Sequence, residues 1–519
     1  MAEPSPETGR PFALTIVADL GATTRRSSEP LPIQPGGAQD LFAALRPRLE
    51  LRTPDRLTGA VRKVAWTPEF TSLRGFDFES LLDRFPPAIP LIAWRKRLIE
   101  ASRAGSGPAG LLDALDSLWP DVPTAPRPTS RPASTAPGPR PSGTGEVEAL
   151  LDFLEGPAAP PETPAAPTAA LGLRERLNFL LGMSGTPWEA RLRQGLTAVD
   201  EALGRQIETI LRDPVFRDLE AAWRSLGAIV EAADLRRGDL RLYALPATRA
   251  EAPEALAALL QRHESGWARA SAGGAFLVDH PIGTDETSTG ILGAAVLLAS
   301  AVPGRVLLPL HPDLLGDGAD HAAARPGPVA DLAGSEALAG LRELTAAVGG
   351  RRIVLTCNRF LYRSPYLPED YPAAIGTFRE DIAGAYGPYA SAIWIAGRAM
   401  AETIRREGAA AALLIDAPVV GRVALRPLGS PQDPEHMVPL EYVLSVPETR
   451  LLLDAGLAVL TCDRDRDDVV LRGLGAPGTA VADAQAQGPA RTEGKAAEGL
   501  SSRLNIHLPR PVKEEEPLS

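Results

Sequence analysis

From residue 240 to residue 471, short apolar runs of strand length alternate with stretches of helical periodicity. This alternation limits the possible folds more than any other feature of the chain. Strand-like runs stand at 240–245, 275–278, 306–310, 352–356, 423–425, 457–461 and 469–471. Helical patterns at about 252–266, 287–301, 333–347, 389–407 and 447–455 fall between many of them. Each element has an apolar face to bury, and helices packed on a mixed sheet bury both kinds at once. The expected class is therefore α/β (α+β). No repeat with a period of roughly 20–50 residues is present.

The chain divides by composition. Residues 1–120 read as a small α/β module with strands at 12–20 and 61–66 and helices at 38–45, 88–102 and 111–118. Residues 121–170 form a Pro/Ala-rich linker that cannot bury enough surface to offset its ordering entropy. Within it, 146–155 is an apolar island: Val147, Leu150, Leu151 and Leu154 share one helical face flanked by acidic residues. Residues 171–475 form the larger mixed-sheet domain, opened by helices at about 171–181 and 187–232, and 476–519 is a low-complexity tail.

The stretch 213–226, DPVFRDLEAAWRSL, carries its own helix markers. Asp213 can cap the N-terminus and Pro214 fits the first helical position. Phe216, Leu219, Trp223 and Leu226 lie on one face, and Glu220 and Arg224 stand four apart in the favourable order for an ion pair. The wording of this stretch resembles a signature of the large subunit of the type VI secretion contractile sheath. Further matching segments follow in order: GGAFLVDH at 273–280, then RRIVLTCNRFLYRSPYLPEDY with Arg359, Phe360, Leu361, Arg363, Pro365 and Tyr366. The last is PLEYVLSVPETRLLLDAGLAVLT, with Glu441, Glu448, Leu452, Gly456 and Leu457. Residues 41–52 and 70–100, with Phe76, Phe78, Leu81, Leu82 and Phe85, are similar to the small sheath subunit. The resemblance thus implies a fused small and large subunit.

The resemblance implies a structural, non-enzymatic protein that assembles with other sheath subunits around an inner tube on a baseplate and contracts to drive injection. It also implies capture of the 146–155 helix by an AAA+ unfoldase. A sheath-derived adaptor, cap or regulator is the alternative. The chain departs from the family pattern at Asn358, where a proline is usual, and at AYGP, where "LWgn" is usual. Its C-terminal segment is expected to be shortened.

The remaining chemistry points the same way. A net charge of −11 leaves no excess of Lys and Arg to neutralise phosphates, so no nucleic-acid partner is expected. The N-terminus lacks a signal-peptide pattern, and 290–310 is interrupted by Ser300, Pro303 and Arg305. A cytoplasmic protein without membrane insertion is expected. Cys357 and Cys462 read as reduced thiols on buried strands. GLGAPG at 473–478 has Pro477 inside it and reads as a loop, and DRDRDD at 463–468 lacks the Gly and Glu of a calcium loop. His280, beside Asp279, reads as a hydrogen-bonded histidine at a strand end. Arg359 and Arg363 could pair with Glu369 and Asp370. No catalytic, cofactor or metal residues are expected.

Overall fold

The computed structural model describes residues 11–22, 29–35, 37–57, 63–104, 111, 173–183, 186–264, 273–302, 304–316, 320, 323–346, 352–368, 375, 378–382, 387–430 and 433–475. The linker and its helix at 146–155, with Val147, Leu150, Leu151 and Leu154, lie outside them, as does the tail after 475.

The N-terminal segment supplies β1 (Phe12–Ala18), β2 (Leu31–Ile33), α1 (Ala38–Leu45), β3 (Leu51–Pro54), β4 (Lys63–Trp66), α2 (Phe78–Leu82) and α3 (Ala88–Ala104). Helices α4 (Leu173–Gly182), α5 (Trp188–Leu211) and α6 (Pro214–Ala232) follow. Then come β5 (Leu240–Pro246), α7 (Ala252–Glu264), β6 (Gly273–Val278), α8 (Glu286–Ala301), β7 (Arg305–Pro309), α9 (Glu336–Ala346) and β8 (Ile353–Cys357). The chain goes on through β9 (Arg359–Leu361), β10 (Tyr389–Ser391), α10 (Ala392–Glu407), β11 (Val419–Val420), β12 (Arg426–Ser430) and β13 (Asp433–Val438). It closes with α11 (Val446–Asp454), β14 (Ala458–Cys462) and β15 (Val469–Arg472). The expected α/β class is the observed one. One expected strand differs: 423–425 is not a strand, and the pairing residues begin at Arg426, after Arg422 turns the backbone to φ 57°.

The main sheet has nine strands in the order β11-β15-β14-β8-β7-β6-β1-β5-β2. The run from β14 to β5 is parallel throughout. β2, β15 and β11 pair antiparallel at the two ends. β1 lies between β5 and β6, with Phe12 opposite both Leu240 and Gly273. Taken in chain order, β5-β1-β6-β7-β8 is the doubly wound order 2-1-3-4-5, which reverses direction between β1 and β6.

A central parallel strand is buried on both faces, and β1 shows this. Leu14 and Ile16 join the core that holds α5, α6 and α10, while Val17 joins the opposite core with α7, α8 and α11. On the first face α10 meets the sheet closely at Gly397. A Cβ there would stand 2.5 Å from Leu277 Cδ1 and 2.7 Å from Ile229 Cδ1, so a larger residue would force those side-chain ends to shift.

The N-terminal segment shares this core and is bonded to it at defined points. Arg95 on α3 makes a two-pronged contact with Asp200 on α5, at 2.5 and 3.1 Å. Gln206 on α5 donates to the Pro54 carbonyl (3.2 Å) and accepts from the Arg56 amide (2.8 Å). Among the described residues, no helix is long and apolar enough to cross a membrane.

Candidate functional site

Helix α6 begins as its sequence requires. The Asp213 carboxylate accepts from the amides of Val215 (3.0 Å) and Phe216 (3.3 Å), and Pro214 opens the first turn. Phe216, Leu219, Trp223 and Leu226 are all buried on one face. Against that face pack the aromatic residues of the N-terminal segment. Trp223 stacks on Phe42 at 3.8 Å and donates its indole N–H to the Leu20 carbonyl at 3.2 Å. Phe76 stacks on Phe70 and lies 6.1 Å from Phe216, while Phe85 packs edge-on to Trp66 at 5.4 Å. Phe78 meets Tyr366 edge-on at 4.8 Å.

The adjoining face of α6 carries a buried charge network. Glu220 has no exposed side-chain surface, and its oxygens take Arg224 Nε (2.7 Å), Arg363 Nε (3.0 Å) and the Tyr362 hydroxyl (2.8 Å). Arg363 also grips Glu380 through two bonds of 2.6 and 3.0 Å and lies over the Tyr366 ring. Arg224 continues to Asp77, at the start of α2, at 2.8 Å. Burial pushes the Glu220 carboxyl up, but the Arg363 and Arg224 guanidinium groups outweigh it and hold the acid below its ordinary value. The same burial and the Glu220 charge drive the Tyr362 phenol well above its ordinary range. The network thus joins the N-terminal segment, α6 and the chain after β9.

A second two-pronged pair, Arg359–Glu441 at 2.6 and 2.5 Å, locks β9 to the 439–442 segment. The expected partners of these arginines, Glu369 and Asp370, lie outside the described residues; the arginines pair with Glu220, Glu380 and Glu441. Phe360 and Pro365 are buried beside them. Gly456, at φ 84°, ends α11: its amide bonds to Leu453 O (2.9 Å), and that of Leu457 to Leu452 O (3.1 Å). Asn358 sits at φ 73°, a conformation closed to proline, and its side-chain amide donates to the carbonyls of Tyr442 and Leu460, both at 2.9 Å. The structure therefore brings most of the sequence-predicted residues into one dry joint; Gly456 stands apart as a helix stop. The members of the joint that sequence reasoning missed are Asp77, Tyr362 and Glu380, for which no local pattern exists.

A second feature was also missed. At the carboxyl ends of β1 and β6, where the strand order reverses, a crevice of about 900 Å³ opens. Open α/β sheets bind ligands at such points. Asp19 follows β1, Asp279 and His280 follow β6, and Arg217 and Asp218 of α6 form a wall. Asp279 accepts a bond from the Ser391 hydroxyl at 2.8 Å. Burial nevertheless raises its carboxyl to about 6, and the nearby Asp218 charge adds to the rise. His280 is buried at a strand end and hydrogen-bonded to the Ala247 carbonyl, as its sequence context suggests; burial lowers it to about 4, so it is neutral.

Both thiols are free: Cys357 is buried, Cys462 is half-buried, and burial pushes each up to about 12.

Residues 193–475 match the family described as VipB: EvpB/VC_A0108, tail sheath N-terminal domain. The chain is also similar to the type VI secretion system sheath protein TssC1 of Pseudomonas aeruginosa, with 24% identity over 203 residues. That alignment covers 37% of this chain and 41% of the relative, so the chain spans well under half of that protein's length. With more than half of its residues inside the family match, and with the capped helix, the buried charge joint and the doubly wound sheet all falling in or against that region, the chain belongs to the VipB tail sheath family.

Proposed function

We propose that the chain is a structural subunit of a type VI-like contractile sheath. In this reading it assembles with other sheath subunits around an inner tube on a baseplate, and it contracts by repacking lateral contacts between bistable states. The observation that carries the reading is the family match over 193–475. The similarity to a protein named as a type VI sheath subunit supports it. The N-terminal segment would serve as the small-subunit part of a fused chain, and its ion pairs Arg95–Asp200 and Asp77–Arg224 support that role. The 146–155 helix would be the handle for an AAA+ unfoldase, through Val147, Leu150, Leu151 and Leu154; this assignment rests on sequence alone.

Electron microscopy of concentrated purified protein tests the proposal. Rings or long tubes are the expected outcome. A monomer that persists at every concentration, alone and with the inner tube protein, would overturn it and favour the adaptor or cap reading.

A further inference from the structure

We infer that the outward face of α3 is the docking surface for this chain's own amphipathic segment 146–155. The pairing is independent of the sheath reading, and three observations carry it.

The first is a second apolar stripe on α3. One face of this helix, with Ala88, Leu91, Trp94, Leu98 and Ala101, is buried in the core. Away from that face stand Ile89, Ile92, Lys96, Ile99 and Arg103, at steps of three, four, three and four. That is the spacing of a seam between two helices. Ile89 is 49% exposed, Ile92 and Ile99 are half-buried, and Lys96 and Arg103 are exposed. Single apolar residues on a surface need no explanation, but three isoleucines in seam register form a strip with something to bury.

The second is complementarity. On the exposed side of α3, Lys96, Arg97 and Arg103 are basic and Glu100 is acidic. Segment 146–155 has the opposite character. Val147, Leu150 and Leu154 repeat at steps of three and four, and Glu146, Glu148, Asp152 and Glu155 flank them. As a helix it would span about 15 Å, close to the stretch from Ile92 to Arg103 at about 1.5 Å per residue. A helix this short is marginal alone in water and needs a face to pack on. The α3 of a second copy fits worse, because it would set Lys96 and Arg103 against like charges.

The third is where the segment is tethered. Leu111 lies beside α3, and its carbonyl accepts the Trp94 indole N–H at 3.2 Å. The next described residue is Leu173, on α4. α3 and α4 reach adjacent residues of α5, through Arg95–Asp200 and Arg176–Glu201 (2.9 Å). Both ends of the intervening chain therefore lie near α3. Arms as long as 112–145 and 156–172 reach about 20–30 Å even as random coils. Such a tether supplies an effective concentration near the millimolar range, enough to seat a modest seam.

Hydrogen–deuterium exchange read by mass spectrometry on the full chain provides the test. Amides of 146–155 should exchange at least tenfold more slowly than in a free peptide of residues 145–156. Ile89→Glu alone, and Lys96→Glu combined with Arg103→Glu, should each remove that protection. Circular dichroism and exchange in β1 and β6 should stay native, because all three side chains are exposed. Reversing the acids on the second background, with Glu146→Lys, Glu148→Lys, Asp152→Lys and Glu155→Lys, should restore protection at least threefold. Free-peptide rates at 146–155 in the native chain would overturn the inference. So would protection that survives both α3 variants, or protection lost on tenfold dilution, which would assign the contact to another copy.

Discussion

Helix α6 borders two charged regions built on opposite principles. On one side, Glu220 and Arg224 enter a joint in which every buried charge meets an opposite one: Arg363 with Glu220 and Glu380, Arg224 with Asp77. On the other side, Arg217 and Asp218 face a crevice where carboxylates outnumber guanidinium groups and a histidine nitrogen has no partner. Folding alone explains the first region, because a buried charge is tolerable only when paired. In the second, the buried Asp279 accepts from the neutral Ser391 hydroxyl, and its carboxyl rises to about 6. A balanced network keeps its carboxylates charged; an unbalanced one makes a buried carboxyl hold its proton to higher pH.

This contrast can be broken by experiment. The largest effect should come from Glu220→Ala, which takes one of two carboxylate partners from each of Arg363 and Arg224 in a buried setting. A loss of about 3–5 kcal/mol is expected, read as a fall in the denaturant midpoint with the slope unchanged. A loss below about 1 kcal/mol would mean the joint is hydrated and the contrast false.

Next come two crevice variants with opposite signs. Asp279 has a folded value near 6 against an ordinary 3.8. Between those values the folded chain binds more protons than the unfolded one, so this group makes stability fall as pH rises. The fall totals about 3 kcal/mol and is complete above pH 6. His280 is lowered from 6.5 to about 4, so between those values the folded chain binds fewer protons and stability rises with pH by a similar amount. The two contributions nearly cancel in the native chain. Asp279→Asn should therefore steepen the rise in stability from pH 4 to 6.5 and leave the protein more stable at pH 7. His280→Gln should expose the fall. Identical pH profiles for both variants and the native chain, measured by urea unfolding, would sink the assignment.

Asp213→Ala, which removes the α6 cap, should cost about 1 kcal/mol. The smallest effect should be that of Arg48→Ala: its 2.6 Å pair with Glu69 is exposed, and its loss should change stability by less than about 1 kcal/mol.

What could be read from the sequence was local. The cap at Asp213, the Glu220–Arg224 pair four residues apart and the apolar face of α6 all follow from spacing, and the structure has them as expected. The second partner of Glu220 was out of reach, because Arg363 lies 143 residues away and no pattern links the two. Asn358 was visible only as a departure from the family; its φ of 73° explains why proline could not serve here. The strands β2, β9 and β11 are two or three residues long, too short for a period to register. The crevice was hidden for a topological reason. Asp19 and Asp279 become neighbours only because β1 slots between β5 and β6, and a strand's apolar run says that it is buried without saying between what.

That slot also sets an order of events during synthesis. β1 is made long before its partners, which run from Leu240 to Pro246 on one side and from Gly273 to Val278 on the other. At roughly 5–20 residues per second, a ribosome needs about 13–50 s to supply the roughly 260 residues that separate β1 from its last neighbour. Both hydrogen-bonding edges of this apolar strand stay open until β5 is made, and one stays open until β6 follows, so nascent chains of this protein should depend on a holding chaperone until then.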